Sequence, residues 1–244
     1  MIFSAIIIVL IIGFISYFYK WKGSAPVSNL PKKLRVPAEY AVPDTPVNFG
    51  FKCQWFAVYT TDTKKLADWL GVKDATPCNW KNGIEYAYQN SVFISPPVDG
   101  WSLAISKLQL PVAQTEEDAR LIKTMVEDLS KEYSRAQYFG TYRVIGYDCW
   151  MKAENGRLER AYASVDGANT IVEGEPTPVE QKFNLINTLS EEATNDPDYY
   201  DREDLKWPNE SITMDIAAAW SVNTQDLEGR KDIAPGVGLV GVLL

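Results

Sequence analysis

Hydrophobic residues fill positions 2–19 almost without a break, IFSAIIIVLIIGFISYFY, and no charge interrupts them. As a helix, eighteen residues rising about 1.5 Å each span about 27 Å, close to the thickness of a hydrocarbon core. Tyr17, Tyr19 and Trp21 close the run beside Lys20 and Lys22, the order of an aromatic belt and a basic flank. The pattern predicts a transmembrane anchor within residues 1–22. A cleaved signal peptide is the rival. It needs a basic lead and a small-x-small site after the apolar core, and neither is present. Five prolines, Pro26, Pro31, Pro37, Pro43 and Pro46, then mark residues 23–48 as a semi-stiff tether.

From residue 49 to residue 244 the pattern alternates between periods of two and of 3.6. Residues 54–60, QWFAVYT, are aromatic and β-branched and predict a strand. Two more strands, at 91–95 and Trp101–Ser106, flank Pro96-Pro97-Val98-Asp99-Gly100, a loop that reverses the chain. Residues 143–153 and Arg157–Val165 are joined by Glu154-Asn155-Gly156, and Asn-Gly supplies the positive φ pair of a hairpin turn. Asp166-Gly167 turns the chain again toward a strand at 170–173. Helices are predicted over Thr63–Leu70, stopped by Gly71, and after Thr115, with Leu121, Ile122, Met125, Leu129 and Tyr133 on one face. Thr177-Pro178-Val179-Glu180 reads as a capping box opening a third helix lined by Val179, Phe183 and Ile186. Asn209 or Ser211 caps a fourth, with Ile212, Ile216, Ala219 and Trp220. The fold class is α+β: an antiparallel sheet with a hairpin meander and about four helices, preceded by one transmembrane helix.

Charge is divided unevenly. Five of the 24 basic residues and none of the 32 acidic ones fall in the first 35 positions. The remainder holds 19 basic against 32 acidic residues, a net charge of −13. Lys20, Lys22, Lys32, Lys33 and Arg35 follow the span and nothing basic precedes it. The positive-inside rule therefore places a single-pass protein in a bacterial inner membrane with its domain in the cytoplasm, a periplasmic domain being the alternative. An acidic domain is a poor fit for nucleic acid, whose phosphates need a basic face, and a better fit for a basic protein.

Chemistry is constrained further by the absence of histidine. Ser–His–Asp and Cys–His nucleophile systems are excluded, as are imidazole bases and histidine-bearing zinc sites. Cys53, Cys78 and Cys149 show no CxxC spacing and read as buried small hydrophobes. The GVGLVG run at 236–241 lacks a following helix to hold a pyrophosphate and reads as a closing strand. Asp148 and Glu159 are the one carboxylate pair that the predicted hairpin could set face to face. No cofactor and no metal are implied. Seven tryptophans lie beyond the anchor, and Trp55, Trp80, Trp101 and Trp150 read as core.

The remaining signal is the segment 191–204, EEATNDPDYYDRED, with seven acidic residues and one arginine, and Trp207 just beyond it. One reading is a solvated loop between helices. The other is an acidic and aromatic patch for a basic protein, built from Asp196, Asp198, Tyr199, Tyr200, Asp201, Glu203, Asp204 and Trp207.

The stretches SVFISPPVDGWSLAIS, AQYFGTYRVIGYDCWMKAENGRLERAYA, EGEPTPVE and DIAAAWSVNTQDLE resemble a family of uncharacterised bacterial proteins. The acidic single-domain type is similar to immunity proteins of bacterial toxin systems. That resemblance implies a membrane-anchored inhibitor of a basic toxin, not an enzyme, and transfers no site residue. An envelope assembly factor and a carboxylate-based hydrolase are the alternative expectations.

Overall fold

A computed structural model describes residues 34–243. The expected anchor at 2–19 lies outside them. Among the described residues no helix is long and apolar enough to cross a membrane. The compact unit runs from Val36 to Leu243.

Nine antiparallel strands form one sheet: β1 (Gln54–Tyr59), β2 (Lys73–Asn79), β3 (Val92–Ile94), β4 (Trp101–Ser106), β5 (Arg135–Tyr142), β6 (Tyr147–Glu154), β7 (Arg157–Val165), β8 (Ala168–Glu173) and β9 (Val237–Val242). Their order across the sheet is β2-β9-β3-β4-β1-β5-β6-β7-β8. The last four in that order, β5 to β8, are consecutive in the chain; β6 to β8 make the expected meander and β5 extends it. Asn155 and Gly156 both adopt positive φ, 51° and 81°, and Asp166 and Gly167 repeat the device at 49° and 79°.

Side chains alternate across the sheet, so each strand feeds two cores. On the first face Phe56, Val58, Tyr138, Cys149 and Met151 meet two helices, α1 (Thr63–Leu70) and α3 (Glu116–Tyr133). Those helices contribute Leu66, Ala67, Leu70, Ile122, Val126 and Leu129. Asp62 caps α1 and Thr115 with Asp118 forms a reciprocal capping box on α3, satisfying the first N–H groups of each. The opposite face is aromatic. Trp55 stacks on Phe139 at 5.2 Å, Phe139 meets Trp220 at 5.7 Å, and Trp80 meets Phe93 edge-on at 5.8 Å. Two helices supply these partners, α2 (Trp80–Gln89) and α5 (Glu210–Trp220). Because both faces are covered, strands such as β4 are buried throughout.

Four differences from the expected pattern have physical causes. The helix expected after Thr177 is a single 3₁₀ turn at Glu180–Lys182, because Glu180 turns into the core and Phe183 does not continue the helix. The strand expected from residue 143 begins at Tyr147. Arg143–Ile145 is a 3₁₀ turn ending at Gly146, φ 56°, and it joins β5 to β6. Helix α2 and strands β2 and β5 have no counterpart in the expected pattern. Gly83 interrupts the first, where a Cβ would stand 2.3 Å from the Phe93 ring, and Pro77 and exposed polar residues mark the second as a sheet edge. A short helix, α4 (Glu191–Asn195), is the remaining addition.

The folded unit also takes in the second half of the stretch expected as tether. Asp44 bridges to Gly236 through the backbone, and its carboxylate accepts from the N–H groups of Trp80 and Lys81 at 2.6 and 3.1 Å. It thereby serves the first turn of α2, at the positive end of the helix dipole. Asn48 accepts from the N–H groups of Leu227 and Glu228, both at 2.8 Å. All three cysteines are buried free thiols.

Candidate protein-interaction surface

The segment from Gly174 to Pro208 lies over the aromatic face at β6 to β8, and one carboxylate fastens it. Glu180 Oε1 accepts from Trp150 Nε1 at 2.9 Å and Arg160 Nε at 2.8 Å. Its Oε2 accepts from the backbone N–H and hydroxyl of Thr177 at 2.8 and 2.7 Å. The capping residues read from the sequence are therefore present, but Glu180 uses its other oxygen to reach the sheet. Arg160 donates onward to the Gly174 carbonyl at 2.8 Å. Both charged side chains are nearly inaccessible, 4% and 1% exposed. A charge pair removed from water in this way depends on its further hydrogen bonds, and here Glu180 uses both oxygens and Arg160 its Nε and Nη1. Trp150 lies flat on Tyr162, 4.5 Å apart with planes 7° from parallel, and the Tyr162 hydroxyl donates to the Ile186 carbonyl at 2.9 Å.

Beyond that anchor the chain rises to the surface. Tyr199 points inward, 3% exposed, with its hydroxyl accepting from the Asn187 N–H at 2.9 Å. Tyr200, edge-on to Tyr199, points outward and is 49% exposed. Asp198, Asp201, Glu203 and Asp204 are exposed and Asp196 is half-buried. The Asp196 Oδ1 accepts from the Asp198 N–H at 3.0 Å and so shapes the turn. Arg202 forks onto Asp204 at 3.1 and 2.8 Å and also pairs with Glu192. Its guanidinium holds the Asp204 carboxyl below the usual range. Of the eight residues expected as a patch, seven reach the surface wholly or in part, and Tyr199 serves the core beneath them.

Trp207 is 45% exposed and rests against the turn between β7 and β8, where a Cβ on Gly167 would stand 3.3 Å from the indole. That turn touches the one between β5 and β6 through the Asp166 N–H, which donates to the Ile145 carbonyl at 3.1 Å. Val144 on the second turn is 68% exposed and Leu189 is 59% exposed. Leu189 follows Thr188, whose N–H donates to Asn169 Oδ1 at 2.8 Å. Three connections thus converge at one end of the meander and carry exposed Val144, Leu189, Tyr200 and Trp207 among carboxylates. Val144 was not legible as a surface apolar residue because it falls in the stretch read as strand 143–153, and Leu189 lies in no periodic stretch that the sequence marks.

A second group of polar atoms is buried under α5. Asp148 is 4% exposed, and its Oδ1 accepts from Thr213 Oγ1 at 3.1 Å. Burial pushes its carboxyl up to about 7, against the Thr213 hydrogen bond, and Glu210 adds to the rise. The Glu210 Oε1 is buried without a hydrogen-bond partner. Glu159, by contrast, pairs with Lys152 at 2.8 Å. Asp148 stands opposite Ser164 on β7, so Glu159 is five residues further along, about 16 Å at roughly 3.3 Å per residue. Paired glycosidase carboxylates stand about 5–9.5 Å apart, so the hairpin does not bring these two together. Among the described residues no group of three or more Cys, Asp and Glu side chains is arranged to hold a metal ion. No family model, curated protein or solved structure matches this chain.

Proposed function

We propose that this protein is a membrane-anchored protein-binding domain that neutralises a basic protein partner, of the kind made by bacterial toxin systems. The observation that carries the reading is that Tyr200, Trp207, Val144 and Leu189 are exposed on hydrogen-bonded connections at one end of the meander, with exposed carboxylates in the same segment. Exposed tyrosine and tryptophan are the residue types that dominate binding energy at interfaces. Surrounding acids steer a basic partner in and discriminate against acidic ones. The Glu180 anchor and the Arg202 fork fix the backbone before binding, which reduces the ordering cost of association. The apolar run at 2–19 supplies the anchor, and the basic residues after it favour a cytoplasmic domain.

The test is capture. Full-length protein is immobilised in mild detergent, and what it retains from an extract of the same cells is identified by mass spectrometry. One basic protein in stoichiometric amount supports the reading. Retention of nothing by folded protein, or of an acidic protein insensitive to salt, removes it.

A further inference from the structure

Beside the Glu180 anchor lies a cavity of about 470 Å³, lined by Arg160, Tyr162, Val172, Glu175, Gln181 and Asn184 among others. Its polar atoms are unevenly spent. Arg160 gives its Nε to Glu180 and its Nη1 to two backbone carbonyls, its charge is matched by Glu180, and its Nη2 has no protein acceptor. Asn184 Nδ2 donates to the Asp204 carbonyl and to Asp204 Oδ2, both at 3.0 Å. Gln181 Nε2 donates to the Pro176 carbonyl at 2.9 Å. These partners can only accept, so each amide uses its N–H group and leaves its oxygen without a protein donor. Glu175 makes no hydrogen bond or ion pair, whereas Glu173 pairs with Lys123, Glu159 with Lys152 and Glu180 with Arg160. The hollow therefore offers a free carboxylate and two free amide oxygens over the apolar atoms of Tyr162, Val172 and Leu185.

A group that uses the carboxylate and both amide oxygens at once is rich in donors, cationic and carried on an aliphatic stem. Arginine meets all three conditions, with five N–H donors and no acceptor. The cavity also shares a wall with the proposed interaction surface, since Asn184 is bonded to Asp204 and Leu185 bridges to Lys206. We infer that this cavity seats one arginine side chain of the basic protein partner, held by Glu175, Gln181 and Asn184. The inference rests on the protein-binding reading above for the source of the arginine, but not for the chemistry of the seat.

The experiment uses full-length protein in detergent and two capped amino acids, acetyl-arginine amide and acetyl-citrulline amide. Citrulline keeps the shape of arginine, removes its charge and replaces a donor with an acceptor. Saturation transfer from protein to probe is followed by NMR. The arginine probe is expected to bind, the citrulline probe to bind at least about tenfold more weakly, and Glu175→Gln to weaken arginine about two- to fivefold. Glu175 is exposed, so that variant keeps the fold. Lys64→Ala, on α1 across the sheet, is expected to leave the arginine signal unchanged. Equal binding of both probes, no binding of arginine, or indifference to Glu175→Gln overturns the inference. The probes carry no partner surface, so this result stands or falls apart from the capture experiment.

Discussion

Replacing Asp148 with asparagine should make the protein more stable above neutral pH and flatten its pH dependence. Asp148 ionises near 7 in the folded protein, against about 3.9 for an unperturbed aspartate. Between those values the folded state holds a proton that the unfolded state has lost. Folding stability therefore falls as pH rises from about 4 to about 7, and is level above that. Ionising the carboxyl about three pH units later than in the unfolded chain corresponds to about 4 kcal/mol, an upper figure because a buried carboxylate relaxes its surroundings as it ionises. Asparagine keeps an oxygen to accept from Thr213, and its new N–H group faces the side where Glu210 acts on Asp148 and has an unpartnered buried oxygen. The substitution should raise stability by about 2–4 kcal/mol at pH 8 and change little at pH 4.5. Urea denaturation at half-unit steps from pH 4.5 to 8.5 measures both. A variant that is less stable at pH 8, or that keeps the slope of the parent between pH 5 and 7, would refute the assignment of that slope to Asp148.

Glu180→Ala should cost about 3–5 kcal/mol, because it leaves the Arg160 guanidinium buried without its counter-charge. Hydrogen exchange should then speed up across residues 174–190 before it does so in β5 or β6. Gly83→Ala should destabilise by about 1–3 kcal/mol, since overpacking against the Phe93 ring outweighs the roughly 1 kcal/mol gain in helix propensity. Thermal unfolding decides the sign. The native thiols should resist alkylation at pH 8, because burial pushes Cys53 up to about 12 and Cys78 up to about 11, and all three should react after denaturation. Counting modified thiols by mass spectrometry checks this.

The sequence made local decisions legible where one residue type has one conformational use. Asn155-Gly156 and Asp166-Gly167 can only turn a hairpin, and both do. Thr115 with Asp118 and Asn209 mark helix starts that the structure keeps. The Thr177–Glu180 signature shows the limit of the same reasoning. Glu180 accepts from the Thr177 N–H and hydroxyl, half of the expected box, yet Arg160 and Trp150 on the sheet share the carboxylate and the turn closes without a side-chain cap. Helix α2 was hidden because Gly83 reads as a breaker, while its real use is close approach to Phe93. The acidic and aromatic segment was legible as composition. What composition could not show is that Tyr199 turns inward and Tyr200 outward, or that Val144 and Leu189 come from distant parts of the chain to join them. The cavity beside Glu180 was beyond reach, because it depends on which atoms of Gln181 and Asn184 remain unpaired after folding.

The account rests on Tyr200 and Trp207 as contact residues, and neither has a part in the core. The direct measurement is the affinity of the captured partner for the parent protein and for the Tyr200→Ala, Trp207→Ala double variant, by calorimetry at 150 mM salt, with unfolding curves recorded alongside. The account predicts at least about a hundredfold loss of affinity with stability unchanged to within about 1 kcal/mol. Undiminished affinity in a folded double variant would contradict it.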